Sequence, residues 1–218
     1  MQGLGDGIVV ILASLALIYG LYMTITTKLP LYFKLSIAAV ACLLLGYIFD
    51  ICDYIVNGVR EEEYMIGYLG STGSFLFLLT ASMGYMDGII DDKTPHMKKC
   101  RYIALIGPVF VVALLIPNMI ADVSAITKVM YVILWIPAIF SSYFNLKHAI
   151  APDMGFGFVK AIRPFNIAAL SFACLHLIHL TLWNYCGWIP LLLSGTVFGI
   201  SCILMIVMAD KGVKKWVL

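Results

Sequence analysis

Residues 98–121 read KKCRYIALIGPVFVVALLIPNMIA, a basic cluster followed by twenty residues without a charge. At a rise of 1.5 Å per residue, such a run forms a helix about 30 Å long, which matches the hydrocarbon core of a bilayer. The whole chain has this character, since 62% of its residues are hydrophobic and 12% are charged. An ordinary soluble domain has about 25% charged residues. The composition therefore predicts an integral membrane protein.

Seven apolar runs of membrane-spanning length follow one another along the 218 residues. They are residues 7–27, 31–56, 64–88, 102–121, 126–147, 164–185 and 188–209. The short connections leave no room for a soluble unit. We therefore expect residues 1–218 to form one all-α domain, a bundle of seven transmembrane helices.

The basic residues indicate how this bundle is oriented. Of the fourteen Lys and Arg residues, twelve lie around alternate connections and in the C-terminal tail, and the other two are Arg60 and Lys128. Short basic loops stay in the cytoplasm, so the amino terminus is expected outside and the carboxyl terminus inside. A multi-pass protein of the cytoplasmic (plasma) membrane, such as a bacterial inner membrane, fits this pattern. Its cationic face attracts anionic lipids and gives no indication of nucleic-acid binding.

Polar side chains at one depth of the predicted bundle form the candidate site. Asp50 and Asp53 lie one to two turns below the outer end of the second run, whereas His176 and His179 lie about 13 and 9 Å below the outer end of the sixth. Three further side chains share this layer: Asn118, Tyr131 and Trp135. An ionisable group in hydrocarbon costs at least about 2.5–3.5 kcal/mol and normally faces a cavity or a partner. Either a ligand-binding cavity or a set of contacts that lock the helices together explains them.

Enzyme and cofactor chemistry finds weaker support in the spacing. Four side chains can in principle supply zinc ligands to an intramembrane hydrolase: Asp50, Asp53, His176 and His179. The helical HExxH pattern of such enzymes is missing. Haem ligation is not favoured, since the remaining histidines, His96 and His148, lie near the opposite end of the bundle. The seventh run has no lysine for a retinal Schiff base, so no catalytic residue, metal or cofactor is predicted.

The prolines and cysteines give further expectations about helix shape and covalent bonds. Pro108 and Pro117 in the fourth run and Pro137 in the fifth should interrupt helical hydrogen bonding, for packing alone or as hinges. The six cysteines show no metal-ligand spacing. Cys52 and Cys186 fall near the same predicted surface and either pair as a disulfide or remain thiols.

Small residues at spacing three and four mark the faces on which membrane helices approach each other. The third run carries Gly67 and Gly70, and the seventh carries Gly195 and Gly199 as a GxxxG pair. These glycines serve either packing within one chain or a homodimer.

Three short segments carry a likeness to a known family: Gly46-Tyr47-Ile48-Phe49-Asp50, Tyr68-Leu69-Gly70 and Ile116-Pro117-Asn118. They resemble the seven-helix amino-terminal sensor region of bacterial histidine kinases and diguanylate cyclases. The resemblance implies a membrane region that senses an external or membrane-borne cue and drives a cytoplasmic output domain through its last helix. It also implies that Asp50, Tyr68, Gly70 and Asn118 surround the sensory cavity.

The leading functional hypothesis is therefore a non-catalytic sensor or receptor module. This module is expected to sense either an unknown small ligand or the proton, because a histidine side chain gains its positive charge at about pH 6.5. No kinase or cyclase sequence follows before Leu218, so the expected output is a separate cytoplasmic signalling partner or a domain of a longer chain. A small-solute transporter or channel using the same cavity is the second hypothesis, and the metal-dependent hydrolase is the third.

Overall fold

The computed structural model describes residues 3–57, 66–90, 94–153 and 157–217, and these residues fold into helices joined by short connections. Inside a helix, backbone N–H and C=O groups bond to each other within the same segment, as an apolar solvent requires. The α-helices are α1 (Gly3–Thr26), α2 (Leu31–Asn57), α3 (Gly67–Leu79), α4 (Asp87–Ile90), α5 (Pro95–Ala104), α6 (Ile106–Ile120), α7 (Ala125–Ile150), α8 (Phe158–Tyr185) and α9 (Trp188–Val217). A π-helical turn, Thr80–Met86, joins α3 to α4.

Six of the helical segments are long and apolar enough to cross a membrane: Leu4–Thr26, Leu31–Val56, Pro95–Ile120, Ala125–Ile150, Phe158–Tyr185 and Trp188–Lys215. This confirms the expected class, an all-helical multi-pass membrane bundle. The third predicted helix, residues 64–88, is not one of the six, because the π-helical turn divides it into shorter α-helical pieces. Its predicted start at residue 64 lies outside the described residues, as do Arg60 and Lys93.

Several helices extend beyond their apolar runs. The fourth segment begins at Pro95 rather than residue 102, where the Thr94 side chain accepts a hydrogen bond from the Met97 N–H at 3.4 Å and caps the first turn. Helix α8 begins at Phe158 rather than 164, after Gly157 at a positive φ of 68°. Helices α1, α7 and α9 also begin or end outside the predicted limits. An apolar run marks only the part of a helix that lies in hydrocarbon, which explains the difference.

The three internal prolines differ in their effect. The fourth segment is interrupted at Leu105, because Pro108 has no N–H to bond to the carbonyl of Ala104, four residues earlier. This confirms the predicted interruption. At Pro117 and Pro137, by contrast, the helix continues.

The helices pack in a closed ring in which α1 contacts α2 and α9, α3 contacts α2 and α7, and α8 contacts α7 and α9. Helices α5 and α6 lie outside this ring against α7, and α6 also touches α8. Lys28, Lys34, Lys160 and Lys211 lie at one end of the bundle, which we call the basic end. The opposite end is called the histidine end, after His176 and His179.

Glycines set the closest helix contacts. A Cβ atom added to Gly70 would lie 2.6 Å from the Cys42 carbonyl oxygen and 2.7 Å from the Gly46 Cα, so α2 and α3 touch backbone to backbone. A Cβ on Gly195 would lie 2.7 Å from the Gly5 carbonyl oxygen. The GxxxG pair of α9 thus packs against α1 of the same chain, and the homodimer stays a prediction.

Gly70→Ala is expected to lower the free energy of unfolding by about 1–3 kcal/mol, because a methyl group would force two backbones apart. Gly88→Ala is the matched control, since a Cβ there has no atom within 4 Å. Unfolding of both variants in detergent micelles, followed by circular dichroism, measures the difference. Equal stability of the two variants would contradict the close contact.

Candidate functional site

His179 joins three helices at the histidine end. Its Nε2 lies 3.2 Å from Asp6 Oδ1 on α1, and its Nδ1 lies 2.7 Å from Ser194 Oγ on α9. Both His179 and Asp6 are buried. An imidazole can serve both contacts, since one ring nitrogen donates and the other accepts in its neutral form.

His176 lies one turn deeper and belongs to an aromatic stack. Its ring is stacked between Phe75, at a centroid distance of 5.4 Å, and Phe198, at 4.6 Å. Its Nε2 lies 3.1 Å from the Ser71 hydroxyl of α3. Its Nδ1 has no hydrogen-bond partner within the described part of the chain. The ring is therefore packed as part of the core and is closed to solvent.

A small cavity lies beside His179. Asp6, Tyr47, Asp50 and Tyr68 line it together with His179, and its volume is about 10 Å³. A cavity of this size holds about one water molecule. The arrangement can bind water or exchange a proton, and it has no room for an organic ligand.

Asp50 reaches this cavity because its neighbour on α3 has no side chain. A Cβ atom on Gly67 would overlap the carboxylate of Asp50. Glycine at position 67 therefore lets the carboxylate pass between α2 and α3. Helix spacing alone assigns Gly67 to helix packing, whereas this contact shows that the glycine also leaves room for a carboxylate.

A second polar cluster ties α6, α7 and α8 together. The Asn118 amide donates to Thr181 Oγ1 at 2.7 Å, and the Asn184 amide donates to Asn118 Oδ1 at 2.8 Å. The Tyr131 hydroxyl donates to Asn184 Oδ1 at 3.1 Å. Each side chain has a partner on another helix, which is the arrangement expected of polar contacts that fasten membrane helices.

Trp135 and Tyr68 connect this cluster to its surroundings. Trp135 is fully buried, and its indole N–H donates to the Val111 carbonyl at 2.9 Å. The Tyr68 ring meets the Tyr131 ring edge-on at 5.4 Å. Tyr68 thus lines the cavity and also packs against Tyr131 of the second polar cluster.

The predicted site residues separate into three groups. Four lie at the cavity or directly beneath it: Asp50, Tyr68, His176 and His179. Three belong to the neighbouring helix-fastening cluster: Asn118, Tyr131 and Trp135. Gly70 lies in the backbone contact between α2 and α3, and Asp53 is half-buried and does not line the cavity.

Three partners of the histidines were missed: Asp6, Ser71 and Ser194. Asp6 precedes the apolar run that begins at residue 7, so the length of this run does not include it in the bundle. Helix α1 begins at Gly3 and carries Asp6 into the layer of His179. A helix start placed one turn earlier would have revealed this residue.

Another buried charged cluster lies towards the basic end. Lys147 forms an ion pair with Asp87, and His148 Nε2 lies 3.0 Å from the same carboxylate. Ser82 donates to Asn145 Oδ1 at 3.0 Å nearby. The charge pattern counts Lys147 with the basic residues around the fifth connection, as the last residue of the run 126–147. Lys147 lies inside α7 with 2% of its surface exposed, because a carboxylate on the neighbouring segment compensates its charge.

Metal and disulfide chemistry find no built site in the described ranges. No group of three or more His, Cys, Asp or Glu side chains there is placed to hold a metal ion. The two histidines of α8 use ring nitrogens for Ser71, Asp6 and Ser194 instead. Cys52 and Cys186 are both free thiols, the first exposed and the second half-buried.

Comparison of the chain with protein family models, with curated proteins and with solved structures gives no match. The class of this protein therefore rests on its fold and its site. The chain is a helical multi-pass membrane protein with paired polar side chains buried near both ends of its bundle.

A double-mutant cycle tests the second cluster. Asn118→Ala and Asn184→Ala should couple by about 0.6 kcal/mol, the average for side-chain hydrogen bonds between membrane helices, and by no more than about 1.7 kcal/mol. Asn118→Ala paired with Asn166→Ala is the control, because Asn166 bonds to the Ile162 carbonyl and to neither partner. These two changes should add within about 0.3–0.5 kcal/mol. Unfolding in mixed detergent micelles gives each free energy, and additivity of the first pair would rule out the bond.

Proposed function

We propose that this chain is a non-catalytic sensor module with seven membrane spans, its amino terminus outside, and that its trigger is the Asp6–His179 pair. The observation that carries the proposal is the bridge from His179 to Asp6 and Ser194 beside a cavity of about 10 Å³. This bridge joins three helices through one titratable ring. The resemblance of three short segments to bacterial sensor regions supports the same class.

The seventh span in this proposal is the divided segment Gly67–Ile90. Its helical conformation runs through α3, the π-helical turn and α4. At about 1.5 Å per residue, this length is about 36 Å, enough to cross a bilayer. With Lys147 removed from the loop count, the basic residues still divide eleven against two, which supports a cytoplasmic basic end.

The size of the cavity favours the proton over other cues. Four other helices supply titratable or polar groups around His179: Asp6 on α1, Tyr47 and Asp50 on α2, and Tyr68 and Ser71 on α3 line the cavity with it, and Ser194 on α9 bonds to its ring. An organic ligand would need this space to open first. A proton needs only a water-sized path.

Proton uptake has a definite hydrogen-bond pattern here. With neutral His179, Nε2–H donates to the Asp6 carboxylate and Nδ1 accepts from the Ser194 hydroxyl. After protonation both nitrogens donate, and the Ser194 hydroxyl turns to the Leu191 carbonyl, which lies 3.1 Å away. The side chains as the structure places them, which we call the closed arrangement, therefore accept the proton without moving a heavy atom.

Charge balance then gives the direction of the response. An ionised Asp6 beside a neutral His179 carries a net negative charge in a buried place, whereas the protonated pair carries none. Burial of an uncompensated charge is unfavourable. Low pH thus favours the closed arrangement, and higher pH favours one in which α1 moves and Asp6 reaches water.

A contact at the basic end carries movement of α1 to the last helix. The Tyr19 hydroxyl of α1 donates to Asp210 on α9 at 2.9 Å, and Lys214 contacts the same carboxylate at 2.7 Å. Helix α9 also receives the Ser194 contact at its other end. The last helix is the element through which the resembling sensor regions act on their output domains.

Hydrogen exchange of the α1 amides tests the trigger. After correction for intrinsic exchange, residues 4–13 should be at least about fivefold more protected at pH 5 than at pH 8, the lower end of typical coupling between sites. His179→Gln and Asp6→Asn should each abolish this dependence. His96→Gln is the control, because His96 is exposed at the basic end and should leave it intact. Wild-type pH dependence in His179→Gln would overturn the trigger.

Transport is the second candidate, since polar clusters lie near both ends of the bundle. Between them, however, the rings of Phe75, Phe172 and Phe198 pack around His176. Proteoliposomes with a pH-sensitive dye inside should therefore show no protein-dependent proton flux. Sustained flux that His179→Gln removes would instead assign the site to a transporter.

A further inference from the structure

A groove runs along the outer surface of the bundle between α8 and α9. Its volume is about 400 Å³. This size lies within the range of about 300–1,000 Å³ that small-molecule sites occupy. Its walls are apolar and include Ile167 on α8 and Leu204 and Met208 on α9. Unlike the cavity beside His179, it opens sideways, towards the region that lipid tails fill around a membrane bundle.

Two cations stand at the end of this groove that lies nearest the basic end. Lys160 and Arg163 are one turn apart on α8, and both line the groove. Within the described residues, neither side chain forms an ion pair with a carboxylate. Arg163 is held in place because one terminal nitrogen donates to the Ala151 carbonyl at 2.7 Å. Its buried Nε has no hydrogen-bond partner there.

The groove is long as well as apolar. Its α8 wall extends from Lys160 to Ser171, which corresponds to about 16 Å at the helical rise. This length suits an extended hydrocarbon chain lying along the helices. A charged group at one end and an apolar track behind it match an anionic amphiphile. A neutral solute would leave both cations without a counter-charge.

We propose that this groove is a specific site for an anionic phospholipid from the leaflet at the basic end. One acyl chain lies between α8 and α9, and the phosphate contacts Lys160 and Arg163. Basic sites between membrane helices bind anionic headgroups in this way. The site is separate from the Asp6–His179 pair and does not depend on the sensor function. It goes beyond general attraction to a cationic face, because it assigns one lipid to one groove.

Thermal unfolding of the full chain in neutral detergent tests the proposal. Added phosphatidylglycerol should raise Tm by about 2–4 °C, a shift that corresponds to about 1 kcal/mol in a protein of this size, and the rise should saturate. Phosphatidylcholine and glycerol phosphate should have little effect, since one lacks net charge and the other lacks acyl chains. A free phosphate site would respond to glycerol phosphate, and this response would overturn the lipid assignment.

Two pairs of variants locate the effect. Lys160→Gln with Arg163→Gln should remove the response to phosphatidylglycerol, whereas Lys28→Gln with Lys34→Gln, which removes two exposed charges from the same end, should keep it. Leu204→Trp should fill the groove and remove the response. Leu193→Trp, at another exposed leucine of α9, should not. A full response in the Lys160 and Arg163 double variant or in Leu204→Trp would overturn the proposal.

Discussion

Polar side chains inside this bundle must find partners on neighbouring helices, because the lipid around a membrane protein offers none. Helix α8 meets this requirement for most of the histidine end. Within ten residues it carries His176, His179, Thr181 and Asn184, which bond to α3, to α1 and α9, and to α6 and α7. These five neighbouring helices would each lose a partner if α8 lost this polar face. The fold thus depends on one helix whose polar residues face inward in several directions.

The two ends of the bundle differ in how their buried charged groups are paired. The histidine end has a cavity with room for about one water molecule, and titratable groups on different helices line it. Towards the basic end, Asp87 and Lys147 are paired across two segments, and the pair needs no exchangeable proton to stay neutral. Aromatic rings of α3, α8 and α9 lie between these regions. Their packing fills the space between the two regions with aromatic side chains.

Sequence patterns were sufficient for the helical class and for part of the site. Apolar run length and helical rise placed His176 and His179 at the right depth near Asp50, since both rules depend on local spacing alone. They could not find Asp6, because a helix start in the polar layer leaves no apolar signal. The resemblance to sensor regions placed Gly70 at the cavity, and the charge pattern counted Lys147 with the basic residues around the fifth connection. Both residues have roles set by an opposing helix, a glycine contact for one and a carboxylate for the other, and single-chain periodicity contains no information about such partners.

The π-helical turn between α3 and α4 determines which way Asp87 points. Ser82 and Asp87 are five residues apart, and in an α-helix they would stand about 140° apart around the axis. In the turn, the Asp87 N–H bonds to the Ser82 carbonyl, five residues back, which brings the two positions nearly above each other. Both side chains consequently meet α7, Ser82 at Asn145 and Asp87 at Lys147 and His148. One inserted residue per turn thus acts as an angular correction, without which Asp87, the carboxylate that pairs with Lys147, would face away from it.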